Sequence, residues 1–600
     1  MSQERTEIEE QYKWRVEDIY ATSDEWESDL EELRLLMGKI PSMKGHIADS
    51  ADSLHAFMEI SNEIDKKGNQ LATYAHLLVD QDLRDTDNQE RQKRLELVFV
   101  DYSQATSFVD PELSLVSDER LMELERDERL KEYHMTFDAI RKQRAHVLSD
   151  KEEEVLSKTS ILGDVPSDTY DILTDAEMPW PTMKLSDGKE VRLDHAEFVK
   201  QRESSVREDR QESFNKFWDT YKSFEGTIGE LMAGHIREDL FSTVVRNFGS
   251  TLESRLYYKD IPLDVYDSLV KNINASLPTF HRYLSLRKRI LGVEQLEYWD
   301  LYAPVVKDID LKYTYQEAQS LILEAVKPLG EEYSKVIRRA FDERWIDVMP
   351  NEGKASGAYS TGGAYDIHPY ILTNFNGSLN SVSTLIHELG HTMHSYLSNK
   401  NQKYHNSHYM IFVAEVASTL NECLLDELML QKLEKREEKI SLLMNILDGY
   451  KGTLFRQTQF AEFEREMHAI AQRKEPITGK KLSSLYIDIL KKYYGHEKDV
   501  CHVDDKIAIE WAFIPHFYRS FYVYQYSTSF VASHALVNNI LSGDKESIDR
   551  YLTFLSSGGI DYPIALLQKA GVDMLQSTPF ENVIRHMNEL MDKIESLLKE

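Results

Sequence analysis

Only two cysteines, Cys423 and Cys501, occur in 600 residues. Two thiols cannot staple a chain of this size, so stability must come from packing, and a cytoplasmic, reducing setting is expected. Long apolar runs are missing too: no stretch approaches the roughly 20 apolar residues that span a bilayer. The opening segment, Met1 to Tyr20, is charged and carries no apolar run, so it does not read as a secretory signal. Proline is scarce, at 15, and no glycine–serine linker, low-complexity tract or fixed-period repeat marks off modules. Positive charge is in deficit, with 71 Lys and Arg against 103 Asp and Glu, for a formal net charge of −32. Such a surface repels nucleic acid and anionic membranes. Acidic clusters such as Glu7 to Glu10 read as solvated helix faces.

What remains is a globular balance, 41% hydrophobic and 29% charged, with enough apolar material for a large core. Trp26 to Met37, Leu54 to Lys66 and Leu95 to Phe108 place apolar residues at three- and four-residue spacing, which predicts helices. Two places break that pattern. At Met178 to Leu193, Pro179 and Pro181 precede an Asp187-Gly188 turn between short β-like runs, which predicts a hairpin. A soft boundary there separates an N-terminal helical region, 1–195, from the remainder, 196–600. The second interruption is Gly353 to Gly377, rich in Gly, Tyr and Ser, with a β-like run Pro369 to Phe375. The expected architecture is mainly α, with a small sheet just before the segment that carries the chemistry.

That segment is Thr384-Leu385-Ile386-His387-Glu388-Leu389-Gly390-His391, an H-E-x-x-H pattern. Residues four apart on a helix share a face, so His387 and His391 can reach one zinc ion together. Leu385, Ile386 and Leu389 would hold the helix in the interior. Glu388, beside the first ligand, can hold the attacking water and take its proton. With 20 histidines in the chain, chance alone yields this pattern in roughly one such chain in twenty. A third protein ligand is therefore required, since catalytic zinc takes three and keeps a fourth position for water.

Glu415 answers that need, twenty-four residues after His391. It lies in the apolar run Ile411-Phe412-Val413-Ala414-Glu415-Val416-Ala417-Ser418, where burying a carboxylate without a partner is costly. Glu422 is seven residues on and points to the same side. An outer hydrogen bond to a ligating histidine would account for it.

These residues resemble the thimet-oligopeptidase-like zinc metallopeptidases, and more closely their bacterial branch, oligoendopeptidase F. The likeness is carried by His387-Glu388-Leu389-Gly390-His391-Thr392-Met393-His394 and by Glu415 to Glu422. It extends to Trp299 to Pro304, Ser356 to Tyr359, Pro369 to Leu372, Ile514 to Tyr518 and, near the start, Tyr12 to Tyr20. The resemblance implies a two-lobed helical metallopeptidase around a deep channel with one zinc ion on its floor. His387, His391 and Glu415 are its implied ligands, and Glu388 its general base and acid. Internal cleavage of short oligopeptides is the implied activity.

Members of this family hold peptide beside an edge strand, here expected near Tyr370 to Phe375, where main-chain hydrogen bonds grip without demanding particular side chains. The cluster Gly357, Gly362 and Gly363 is a candidate closing loop, with a plain surface loop as the equal alternative. Attack on a peptide carbonyl makes an oxyanion that needs donors, and in related enzymes a histidine and tyrosines supply them. His516, Tyr526 and Tyr522 are the candidates here. His394 and Cys423 read as packing residues, and His405 and His408 are given no role. Two other readings compete. One is a metallo-exopeptidase, although the G-x-M-E-N signature of one large aminopeptidase class is absent. The other is an inactive helical binding scaffold, against which the intact Glu388 and full ligand set argue.

Overall fold

A computed structural model of the chain describes residues 3–159, 163–306 and 311–599. Helices begin where a short polar side chain can take up orphan N–H groups of the first turn. Thr22 accepts from the Glu25 amide ahead of Ser23–Met37, and Ser50 from the Ser53 amide ahead of the 31-residue helix Ala51–Gln81. Asp85 does the same for Thr86–Thr106. Two of the three apolar segments expected to be helical lie wholly in these helices, and the third, Leu95 to Phe108, runs two residues past the end of its helix at Thr106. Helices dominate the described residues, with two small sheets between them. No helix among them is long and apolar enough to cross a membrane.

Packing groups the chain into two compact units. The first joins Met1–Asp150, Asp310–Met429 and Leu536–Val572, and the second joins Lys151–Ile309, Leu430–Ala535 and Asp573–Glu600. Each is assembled from three separated stretches of sequence. Residue 195, where the sequence suggests a boundary, lies inside the second unit just after its hairpin.

In the first unit, Trp26, Leu30, Leu54, Leu71 and Leu77 from the N-terminal helices form one core with Tyr370 and Leu372. Trp26 is wholly buried, and its indole N–H donates to the Leu71 carbonyl at 3.1 Å. A side chain of that size removes ~200 Å² from water, worth about 5 kcal/mol as an upper figure.

The sheet in this unit has three strands: β3 (Ile346–Asp347), β4 (Tyr359–Thr361) and β5 (Tyr370–Leu372), numbered after a hairpin of β1 (Thr182–Lys184) and β2 (Glu190–Arg192). Their order is β3-β5-β4. β5 runs parallel to β3 and antiparallel to β4, with Tyr359 opposite Leu372 and Thr361 opposite Tyr370. The run near Tyr370 is thus the central strand, not the expected edge, and its three residues are fully buried. Continuous apolar character marks a strand covered on both faces, which explains the correction. The open edge is β4, whose residues are half-buried.

Lys354 anchors the loop before β4. Its ammonium group is buried 2.6 Å from an Asp347 carboxylate oxygen and also donates to the Thr373 carbonyl at 2.6 Å. A buried cation is tolerated only when paired and hydrogen-bonded in this way.

In the second unit, β1 and β2 pair as the predicted hairpin, and Gly188 takes the left-handed conformation its turn requires, with φ of +89°. A buried carboxylate, Glu510, gathers three segments by accepting from Tyr298 at 3.0 Å, Tyr486 at 2.6 Å and Arg456 at 2.7 Å.

Candidate active site

The helix Leu379–Asn401 carries both histidines of the H-E-x-x-H pattern. Ser378 caps it by accepting from the Ser381 amide. Leu385, Ile386 and Leu389 are completely buried, so the opposite face, with His387 and His391, is presented outward from the core. The two imidazole centroids lie 4.9 Å apart.

The helix Ile411–Lys432 brings Glu415 to them. Gly390 permits the approach: a β-carbon there would stand 2.5 Å from the Ser418 Cα and 2.7 Å from the Ala417 carbonyl oxygen. Asn421 ties the helices further by donating to the Ile386 carbonyl at 3.3 Å, and accepts in turn from Tyr333 at 3.0 Å. One Glu415 oxygen consequently lies 3.5 Å from Nε2 of both His387 and His391. Ser418 donates to that same oxygen at 3.0 Å.

The donor set fits a divalent ion. One atom from each of His387, His391 and Glu415 falls within 4.8 Å of the others, as ligands of a single cation must. Two imidazoles and a carboxylate are three ligands, which leaves the open position that catalytic sites keep. The local field also favours a cation. Burial pushes the His387 imidazole down, but its hydrogen bond to Glu422 and the charges of Glu422, Glu388 and Glu415 outweigh that and lift it to about 9. Burial raises Glu415, yet the His391 and His387 imidazoles and the Ser418 hydroxyl overcome it and hold the carboxyl at about 2. Glu422 accepts from His387 Nδ1 at 2.6 Å, which leaves Nε2 for the metal.

Glu388 is 6% exposed. Burial raises its carboxyl above the ordinary range, against the pull of His387 and His391. It lines a groove of about 510 Å³ together with His387 and Glu422. Gly357 and Ala358, just before the β4 edge, and Asn374 and Phe375, just after β5, form another part of the lining. The glycine cluster divides in two. Gly357 is unobstructed at φ of +82°, but a β-carbon on Gly362 would lie 2.5 Å from that of Ser395, and one on Gly363 2.7 Å from the Thr73 hydroxyl. The latter pair are close-packing positions and not a flexible closing loop.

His394 stacks on Tyr409 with centroids 3.6 Å apart, and burial, with the nearby His391, drives its imidazole down to about 3. It packs behind the site. Neither cysteine forms a disulfide.

His516, Tyr522 and Tyr526 belong to the second unit and cluster there. The His516 ring centroid is 6.3 Å from each tyrosine ring, and the tyrosines stand 5.3 Å apart at right angles. The Tyr526 hydroxyl donates to that of Tyr522 at 3.4 Å. His516 is exposed and the two tyrosines half-buried, whereas Phe517, Phe521 and Tyr524 are core residues. Burial, then the charge of Arg519, lowers the His516 imidazole.

Sequence reasoning passed over Gly390, Ser418 and Asn421. A glycine between two candidate ligands, and two polar groups in an apolar helix, were the available signals.

The family model described as Peptidase family M3 matches residues 201–586, and the one described as Oligopeptidase F matches residues 112–179. Oligopeptidase PepF of Bacillus subtilis strain 168 is 40% identical over 597 residues, covering 99% of this chain and 88% of its own. Group B oligopeptidase PepB of Streptococcus agalactiae serotype III is 37% identical over 600 residues, covering 100% of this chain and 99% of its own. The crystal structure of oligoendopeptidase-F from Enterococcus faecium aligns with a TM-score of 0.75 at 33% identity, over 96% of this chain and 99% of that one.

Proposed function

Since the chain belongs to peptidase family M3, in its oligoendopeptidase F branch, and so is a metallopeptidase of oligopeptides, we propose that it cuts internal peptide bonds with one zinc ion. The observation that carries this is the convergence of His387, His391 and Glu415, with Glu388 on the same helix, beside a groove next to an open strand edge. His387, His391 and Glu415 would hold the ion, and 196–600 is the catalytic region. The ion, when bound, polarises the scissile carbonyl as a Lewis acid and lowers the pKa of water.

Glu388 takes the proton of the attacking water and later gives it to the leaving amine, a task suited to a carboxyl lifted by burial. Glu422 fixes the His387 tautomer through Nδ1. We assign His516, Tyr526 and Tyr522 to the developing oxyanion. What supports this is their chemistry: an imidazole and two phenols, grouped and accessible among buried neighbours.

The groove lining holds no lysine or arginine among the described residues to pair with a terminal carboxylate, which argues against a carboxypeptidase. The β4 edge offers main-chain groups to an extended peptide without selecting its ends. That neither cysteine forms a disulfide accords with a cytosolic setting.

The test is an internally quenched peptide assayed with and without a chelator, with products mapped by mass. Chelator-sensitive cleavage at interior bonds is expected. Sequential loss of terminal residues would point to an exopeptidase, and no cleavage at all to a binding scaffold.

A further inference from the structure

Phe521 has a φ of +56°. Bulky residues rarely occupy this left-handed region, because the β-carbon crowds the following carbonyl. The other non-glycine residues there, among those described, are Asn247, Asp260, Arg344, Lys474 and Asp499. All five are polar and at least partly exposed, whereas Phe521 is a buried aromatic. An unfavourable conformation at such a residue persists only where its surroundings impose it.

The surroundings are specific. The Phe521 amide donates to Glu464 Oε1 at 2.7 Å. Glu464 is fully buried on the helix Arg456–Gln472, and its other oxygen has no hydrogen-bonding partner among the described residues. One turn along, His468 sets its ring 4.7 Å from that of Phe521. The preceding residue, Ser520, is held at its hydroxyl 2.8 Å from His235 Nε2. Burial pushes the Glu464 carboxyl well above the usual range.

The turn at Phe521 decides which neighbours face outward. Phe521, Val523 and Tyr524 enter the core, while Tyr522 and Tyr526 meet each other beside His516. We propose that Glu464 is a positioning residue, whose buried carboxyl group, by accepting the Phe521 amide hydrogen, holds the left-handed turn that sets Tyr522 and Tyr526 in register. The inference rests on the assignment of these tyrosines to the oxyanion.

The test is a double-mutant cycle in the zinc-loaded, full-length enzyme, reading kcat, KM, metal content and melting temperature. Glu464→Leu removes the acceptor, and should lower kcat at least tenfold while KM and metal content stay within about twofold. Glu464→Gln keeps an oxygen acceptor of the same shape at the Phe521 amide, and should hold kcat within about threefold. In a Tyr526→Phe background, Glu464→Leu should add clearly less than its loss in the wild type, because part of its effect runs through the Tyr526 hydroxyl. If Tyr526→Phe lowers kcat but Glu464→Leu does not, or if the two losses multiply in full, the positioning role is overturned alone. Wild-type kcat in Tyr526→Phe overturns the tyrosine assignment and this inference with it. Should Glu464→Leu fail to fold, a more than tenfold kcat loss in well-folded Glu464→Gln still overturns the inference.

Discussion

Glu422 and His387 are joined by a 2.6 Å hydrogen bond between a carboxylate oxygen and Nδ1. That bond fixes the ring's tautomer and leaves Nε2 as the atom that would face the proposed metal. Glu422→Ala should weaken metal affinity about 10- to 100-fold, the usual cost of losing such an outer partner. Zinc titration against a competing chelator measures it, and unchanged affinity would remove Glu422 from the site.

Glu415→Ala should cost more. It removes one of the three proposed ligands, and two imidazoles alone hold zinc weakly. Metal analysis after dialysis should find the purified variant largely empty. Full metal with full activity would mean that the third ligand lies elsewhere.

Gly390→Ala tests the close approach of the two ligand helices. The added methyl would meet backbone at 2.5 Å, where nothing flexible can yield. Overpacking of this kind typically costs 1–3 kcal/mol, about 1–3 here. The helix bearing Glu415 must move to relieve it, so melting temperature and zinc affinity should fall together. A stable variant with normal zinc affinity would contradict this role.

His387 and His391 were legible as a pair because helical spacing puts them on one face, Glu415 because it is a carboxylate in an apolar run, and Glu422 because seven residues return it to the same side. The mainly α architecture was legible from the same helical spacing. The edge strand was not: whether Tyr370 to Leu372 is central or peripheral depends on which strands pair with it, and only its unbroken apolar character hinted at the answer. Gly362 and Gly363 looked like a loop because a glycine needed for close packing and one needed for flexibility read identically. In the segment from His516 to Tyr526, composition could not separate Tyr524 from Tyr526. Two residues apart on a helix, they face opposite ways, and burial follows.

Tyr526→Phe should lower turnover about a hundred- to a thousandfold, the usual effect of losing one oxyanion donor. Zinc content and peptide affinity should hardly change. Steady-state kinetics separate the cases, because a raised KM with normal kcat would mean that Tyr526 only grips substrate.

The helix Leu379–Asn401 supplies two of the three proposed zinc ligands and also the proposed base. Glu388→Gln separates the two roles, since His387, His391 and Glu415 remain in place. Metal content and turnover of a quenched peptide should be measured on the same preparation. One zinc ion per chain with kcat reduced by roughly 10²- to 10⁴-fold, the usual worth of a positioned general base, is the predicted result. A zinc-loaded Glu388→Gln enzyme that still cleaves peptide at near wild-type rate would contradict it.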